Sequence, residues 1–249
     1  MNLAEAIQPV LPARIAIIGG GGKTTALFQL ARQITGKTWV TTTTHLGTDQ
    51  LGFADRHFIV DQISDEIEEQ WLGQKVTLLT GEFTPDDRIK GPDNEKLSKI
   101  YLSADKRKVS LLVEADGSRS RPVKAPDSNE PATPRWAGLV ITVVGLSALG
   151  QAFSEATVHR VDPFRQITGM RQGQLITVES LVQLLINPLG GLKNSPEQAI
   201  KVALLNQADT SQLCDQAAAA APLLLAGGYD MVLAGSLKFA PDAILCWRR

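Results

Sequence analysis

Short apolar, β-branched runs recur along the chain, each followed by a longer stretch in which apolar residues return at helical spacing. Runs of this kind predict strands over residues 14–18, 38–42, 57–60, 76–80, 109–113, 139–144, 200–205, 231–234 and 243–247. The stretches between them predict helices over 23–35, 64–72, 94–104, 178–186 and 210–221. Strands that read as near-continuous apolar runs are those covered on both faces. The alternation therefore predicts an α/β fold, a mostly parallel sheet flanked by helices. Residues 117–134 are rich in proline, serine and charge, which predicts an exposed loop. At 249 residues the chain suits a single domain over 1–249, with an insertion around 134–196.

The first predicted strand, Arg14-Ile15-Ala16-Ile17-Ile18, runs into Gly19-Gly20-Gly21-Gly22-Lys23-Thr24-Thr25. A strand, a glycine turn and a helix in that order form a phosphate-binding loop. Glycines let backbone N–H groups turn inward around phosphate oxygens, and the helix start adds partial positive charge. Lys23 is placed to reach the β- and γ-phosphates, and the Thr24 hydroxyl to bind Mg²⁺. Ile17 stands where the long form of this loop has its first glycine, so the match is to the shorter form G-x-x-G-K-T-T. That form occurs in ParA-like and metallochaperone P-loop NTPases and in Mur-type ligases. Ile18 stands where many ParA-like proteins carry a second lysine that crosses a dimer interface.

In open α/β sheets ligands gather at the carboxyl ends of strands, so the residues just past each strand are informative. The second strand leads into Thr43, Thr44 and His45, hydroxyls and a ring suited to Mg²⁺ or a γ-phosphate. The run 109–113 ends at Glu114-Ala115-Asp116-Gly117, the Walker B pattern of hydrophobics and then acid. One carboxylate would hold Mg²⁺ and the other orient a nucleophile; the sequence leaves open which does which. Behind it come Arg119, Arg121 and Lys124, cations suited to phosphate or transition-state charge. The run 200–205 ends at Asn206-Gln207-Ala208-Asp209, close to the guanine-reading N-K-x-D pattern but with Gln207 for lysine. An aspartate there accepts two hydrogens that guanine offers and adenine does not. It would equally cap the helix after it. Ser236 comes after the next strand, where GTPases place a small loop against the base. The order of these sites favours GTP over ATP.

Composition narrows the partners. The net charge of −1 gives no hint of nucleic-acid or membrane partners, and the longest apolar run is too short to cross a membrane. Two cysteines without a Cys-x-x-Cys spacing, and three scattered histidines, argue against structural zinc. No signal-peptide pattern opens the chain, so a cytoplasmic location is expected. A homodimer is compatible with the sequence.

The motifs Gly-Gly-Gly-Gly-Lys-Thr-Thr, Thr-Thr-Thr-Thr-His, Glu-Ala-Asp-Gly-Ser-Arg with Pro-Val-Lys-Ala-Pro, Val-His-Arg and Leu-Leu-Asn-Gln-Ala-Asp together resemble the YqeC family. The resemblance implies a P-loop protein serving the maturation of a selenium-dependent molybdenum hydroxylase or its cofactor. The residues are compatible with three functional classes. One is Mg²⁺-dependent hydrolysis of GTP or ATP coupled to that maturation. The second is a kinase or ligase that passes phosphate to a small acceptor. The third is a regulatory module that binds nucleotide with negligible turnover.

Overall fold

The structure, a computed structural model, describes residues 1–60 and 64–249. Its first half runs α1 (Leu3–Ile7), β1 (Arg14–Gly19), α2 (Lys23–Gln33), β2 (Thr38–Thr42), β3 (His45–Gly47), β4 (Arg56–Ile59), α3 (Asp65–Trp71) and β5 (Val76–Thr80). Then come β6 (Phe83–Thr84), β7 (Arg88–Lys90), α4 (Asn94–Lys106), β8 (Ser110–Glu114), β9 (Val123–Lys124) and β10 (Leu139–Gly145). The remainder is β11 (Val158–His159), α5 (Val161–Thr168), α6 (Val178–Ile186), β12 (Ile200–Asn206), α7 (Ser211–Ala226), β13 (Met231–Gly235) and β14 (Leu245–Arg248).

All nine predicted strands lie in one nine-stranded sheet of order β14-β13-β12-β10-β1-β8-β2-β5-β4. Every pairing in it is parallel except β13 with β14 at the edge. The chain winds outward from β1 to one edge first and reaches the other edge last. The carboxyl end of β1 is thus where winding changes direction, the place where such sheets open a ligand crevice.

Both faces of the sheet are covered, which is why its strands are apolar throughout. Ile15 and Ile17 of β1 pack with Leu27, Leu30 and Ala31 of α2, while Ala16 and Ile18 pack on the other side with Val113 and Val140. Beyond them Leu205 and Val232 meet Leu181 of α6 and Leu224 of α7. Trp39 and Trp71 meet edge to face in a third cluster under α4.

The structure corrects one expectation of exposure. Within 117–134, residues 123–126 are buried, with β9 paired in parallel to β11. The charge of Lys124 misled there: two carboxylates neutralise it inside the protein. Helix α7 also runs on to Ala226, beyond the predicted end, with Pro222 inside it.

Candidate functional site

The glycine run closes into a loop between β1 and α2. Gly19 has φ +98°, and a Cβ there would collide with the Val143 carbonyl. Gly22, the N-cap of α2, has φ +113°, and a Cβ would strike the Asn206 amide. Both positions are closed to ordinary side chains for those two reasons. The Gly20 N–H donates to the Val143 carbonyl and the Gly21 N–H to that of Arg121, each at 2.9 Å. The start of α2 carries no side-chain cap, so its first N–H groups are left for another acceptor.

Strand pairing sets Glu114 level with Ile17 of β1 and Thr42 of β2. Thr24 Oγ1 donates to Glu114 Oε2 at 2.8 Å, so the two oxygens sit side by side. Burial pushes the Glu114 carboxyl above its usual range, against the pull of Lys23 and the Thr24 hydroxyl. Asp116 is used differently. Both its oxygens lie 3.1 Å from the Gly19 nitrogen, and it pairs with Lys23 at 3.5 Å and Lys124 at 3.3 Å. Lys23 donates to the Gly19 carbonyl at 2.9 Å and lies 3.7 Å from Glu114. Lys124, its side chain fully buried, also pairs with Glu130 at 3.0 Å. Glu130 pairs with Arg160 in turn. A ladder of alternating charge thus starts buried behind the loop at Lys23, Asp116 and Lys124 and opens toward solvent at Glu130 and Arg160.

In front of the loop lies a cavity of about 790 Å³. Gly21, Gly22, Lys23, Thr24, Thr25 and Glu114 form one wall, and Thr43, Thr44 and His45 the next. Gly117, Ser118, Arg119 and Ser120 border it, and Glu130, His159 and Arg160 extend it. The buried Thr43 hydroxyl has no hydrogen-bond partner among the described residues. Burial and the nearby Lys124 and Arg160 charges lower His159 from 6.5 to about 4, so its ring is neutral at physiological pH.

A family model described as "YqeC protein" matches residues 15–162. A protein of Escherichia coli K12 named "Uncharacterized protein YqeC" is 32% identical over 219 residues, covering 86% of this chain and 82% of its own length. The chain belongs to the YqeC family. No solved structure matches it. The matched span takes in the glycine loop, Thr43 to His45, Glu114 to Arg119 and His159. It stops short of Asn206, Asp209 and Ser236.

Those three residues also lie outside the cavity of this YqeC family member; from the end of β12 only Gln207 reaches it. The Asn206 amide donates to the Gly21 carbonyl at 2.7 Å and accepts from the Leu237 N–H at 3.1 Å. It ties the glycine loop to the loop after β13. Asp209 is exposed and has no partner among the described residues. Ser236 Oγ accepts from the Phe239 N–H at 3.3 Å. Lys124 faces Asp116 and Glu130 rather than the cavity, and Arg121 lines a neighbouring cleft while donating to the Glu155 carbonyl at 2.7 Å.

The sequence pattern missed the outer wall, made by Gly47, Asp49 and Gln50 with Arg88 of β7. The Gln50 amide approaches Thr24 Oγ1 at 3.5 Å. These residues come from a small antiparallel sheet, β3-β7-β6, and the turn after β3, and its strands are too short to show a period. Among the described residues no helix is long and apolar enough to cross a membrane.

Proposed function

We propose that this protein binds a nucleoside triphosphate with Mg²⁺ in the cavity and hydrolyses it, in the service of maturing a molybdenum hydroxylase or its selenium-bearing cofactor. The observation that carries the reading is the meeting of three features on one cavity wall: the uncapped start of α2, Lys23, and the Thr24–Glu114 oxygen pair. Free N–H groups at a helix start, next to a lysine, suit phosphate oxygens. Among the described residues no three His, Cys, Asp or Glu side chains gather as a metal cage. Mg²⁺ does not require one, since it is commonly held by one or two protein oxygens, phosphates and water. Thr24 and Glu114 fit as those oxygens. The ion would supply charge neutralisation to the β- and γ-phosphates.

The two acids then divide their roles. Glu114 faces the cavity as the metal ligand. Asp116, saturated by Gly19, Lys23 and Lys124, is a positioning residue that fixes the loop. Arg119, on the opposite border, is free to meet charge that develops on the transferring phosphate. Guanine is the base we assign, because Asp209 keeps an unpaired carboxylate beyond the loop that Asn206 ties down. Thermal-shift and phosphate-release measurements with Mg-GTP and Mg-ATP test the reading. Stabilisation by one of them, with slow release of phosphate, is the expected result; no response to either refutes it.

A further inference from the structure

The cavity is lopsided. Nucleotide recognition at the ends of β12 and β13 would lie on one side of the glycine loop, yet only Gln207 reaches the cavity from there. Its volume opens the other way, toward Arg88 and the Gly117–Ser120 border. Its charges are lopsided too. Lys23 is matched by Glu114 and Asp116, and Arg160 by Asp127 and Glu130. Arg119 has no partner among the described residues, while Arg88 donates to the His45 carbonyl at 3.3 Å and also acts on the exposed carboxylate of Asp86, outside the lining. Counted within the lining alone, Lys23, Arg88, Arg119 and Arg160 meet three acids, Asp49, Glu114 and Glu130, so one cation is left over. His159, neutral near pH 7, adds nothing to the count. Arg119 and Ser120 are held at φ +49° and +59°, a conformation that costs on the order of 1 kcal/mol or more per residue and collects at ligand-binding segments.

A second cleft of about 430 Å³ shares Arg119, His159 and Arg160 with the first and continues past Arg121, Glu155 and Asp162. Its mixed charges suit the polar body of a small molecule.

We infer that the far half of the cavity takes a second, anionic substrate beside the triphosphate, its phosphate or carboxylate group held between Arg88 and Arg119 and its body in the adjoining cleft. This rests on the nucleotide reading above. Guanidinium forks match both kinds of oxyanion, so the two sources share one recognition chemistry. A triphosphate bound at Lys23 and Thr24 would set its γ-phosphate toward this second anion, whose oxygen would bond to the γ-phosphorus as the bond to the β-phosphate oxygen breaks and the nucleoside diphosphate leaves. The hydrolysis proposed above is the same step with water in the anion's place.

The test uses the full chain saturated with Mg²⁺ and a non-hydrolysable analogue of whichever triphosphate it binds. Inorganic phosphate is titrated in one arm and succinate in the other, by calorimetry. One of these anions should bind without displacing the nucleotide. Arg88→Gln and Arg119→Gln, made separately, should each lose tenfold or more in affinity for that anion, with nucleotide affinity of Arg88→Gln kept within twofold. Binding of phosphate identifies a phosphorylated substrate, and binding of succinate a carboxylate. If the nucleotide binds but neither anion does, or if both anions only compete with it, the second site is refuted and the nucleotide reading stands. If wild type binds no nucleotide, both fall.

Discussion

Lys124 and Arg119 belong to the same short segment after β8, yet their surroundings are opposite. Lys124 is fully buried between Asp116 and Glu130 and also donates to the Gly117 carbonyl at 2.7 Å. Arg119 borders the open cavity with no partner among the described residues. The protein's own carboxylates compensate the first charge, so its work is to hold the glycine loop in place. The second is exposed with no carboxylate of the described residues beside it, so it is solvated and open to a ligand. The same contrast separates Asp116 from Asp209: the first is answered within the protein and positions the loop, and the second faces solvent.

Neutralising each cation in turn should pull the two apart. Lys124→Met removes the cation between buried Asp116 and half-buried Glu130, leaving Asp116 to Lys23 and Glu130 to Arg160, and should cost about 3 kcal/mol of folding stability, the low end for a broken buried pair. Arg119→Met should stay within about 0.5 kcal/mol, as surface changes do. Urea unfolding of both variants measures the gap, and equal losses would erase the distinction.

Next in size is the pair of acids. Glu114→Gln should weaken Mg-nucleotide binding by about 1.5–3 kcal/mol, the scale of a contact to a charged group, and leave metal-free binding unchanged. Because burial raises the Glu114 pKa, its proton is lost late. Mg²⁺-dependent binding should accordingly strengthen as pH rises through that range, a trend the Gln variant should lack. A Mg²⁺ dependence that survives in Glu114→Gln but vanishes in Asp116→Asn would reverse the assigned roles.

Base choice should show a smaller effect. Asp209 is exposed, so water competes for it, and preference for GTP over ATP should be about tenfold, or ~1.4 kcal/mol. Asp209→Asn should move preference toward xanthosine triphosphate in a thermal-shift series. A wild type that favours ATP would reduce the Asn206–Asp209 segment to a strand end with a structural amide.

The least change is expected at His159. Its pKa is lowered from 6.5 to about 4, so the unfolded chain takes up a proton in that window that the folded protein refuses. Stability should be full above pH 6.5 and decline as pH falls toward 4. The ring is partly open to solvent, which keeps the contribution to about 1 kcal/mol or less. His159→Gln should flatten that part of the pH profile in denaturation experiments; an unchanged slope would place the dependence elsewhere.

The sheet was legible because burial on both faces writes itself as apolar runs, and every expected strand takes its place in it. Its C-terminal ends were legible to within a residue or so, which is why Gly19, Glu114 and Asn206 were found. What escaped depends on tertiary contact. The strands β3, β6, β7, β9 and β11 are two or three residues long and carry no periodicity. Asp49, Gln50 and Arg88 reach the cavity only because the β3-β7-β6 sheet folds over it. Lys124 looked solvated because Glu130, one of its two carboxylate partners, comes from the far side of a proline-rich turn. The division of roles between Glu114 and Asp116 could not be read from spacing, since it depends on which carboxylate the Gly19 N–H and the two lysines engage.

Whether the cavity at the glycine loop is a Mg-triphosphate site is decided by calorimetric titration of Mg-GTP and Mg-ATP. Lys23 is buried between Glu114 and Asp116, so Lys23→Ala must be compared at a temperature where circular dichroism shows it folded. Wild type should bind one triphosphate per chain in a Mg²⁺-dependent manner, and Lys23→Ala should lose about 1.5–3 kcal/mol of that binding, roughly ten- to a hundredfold. Equal affinity in the folded variant, or no binding by wild type, would overturn the nucleotide reading.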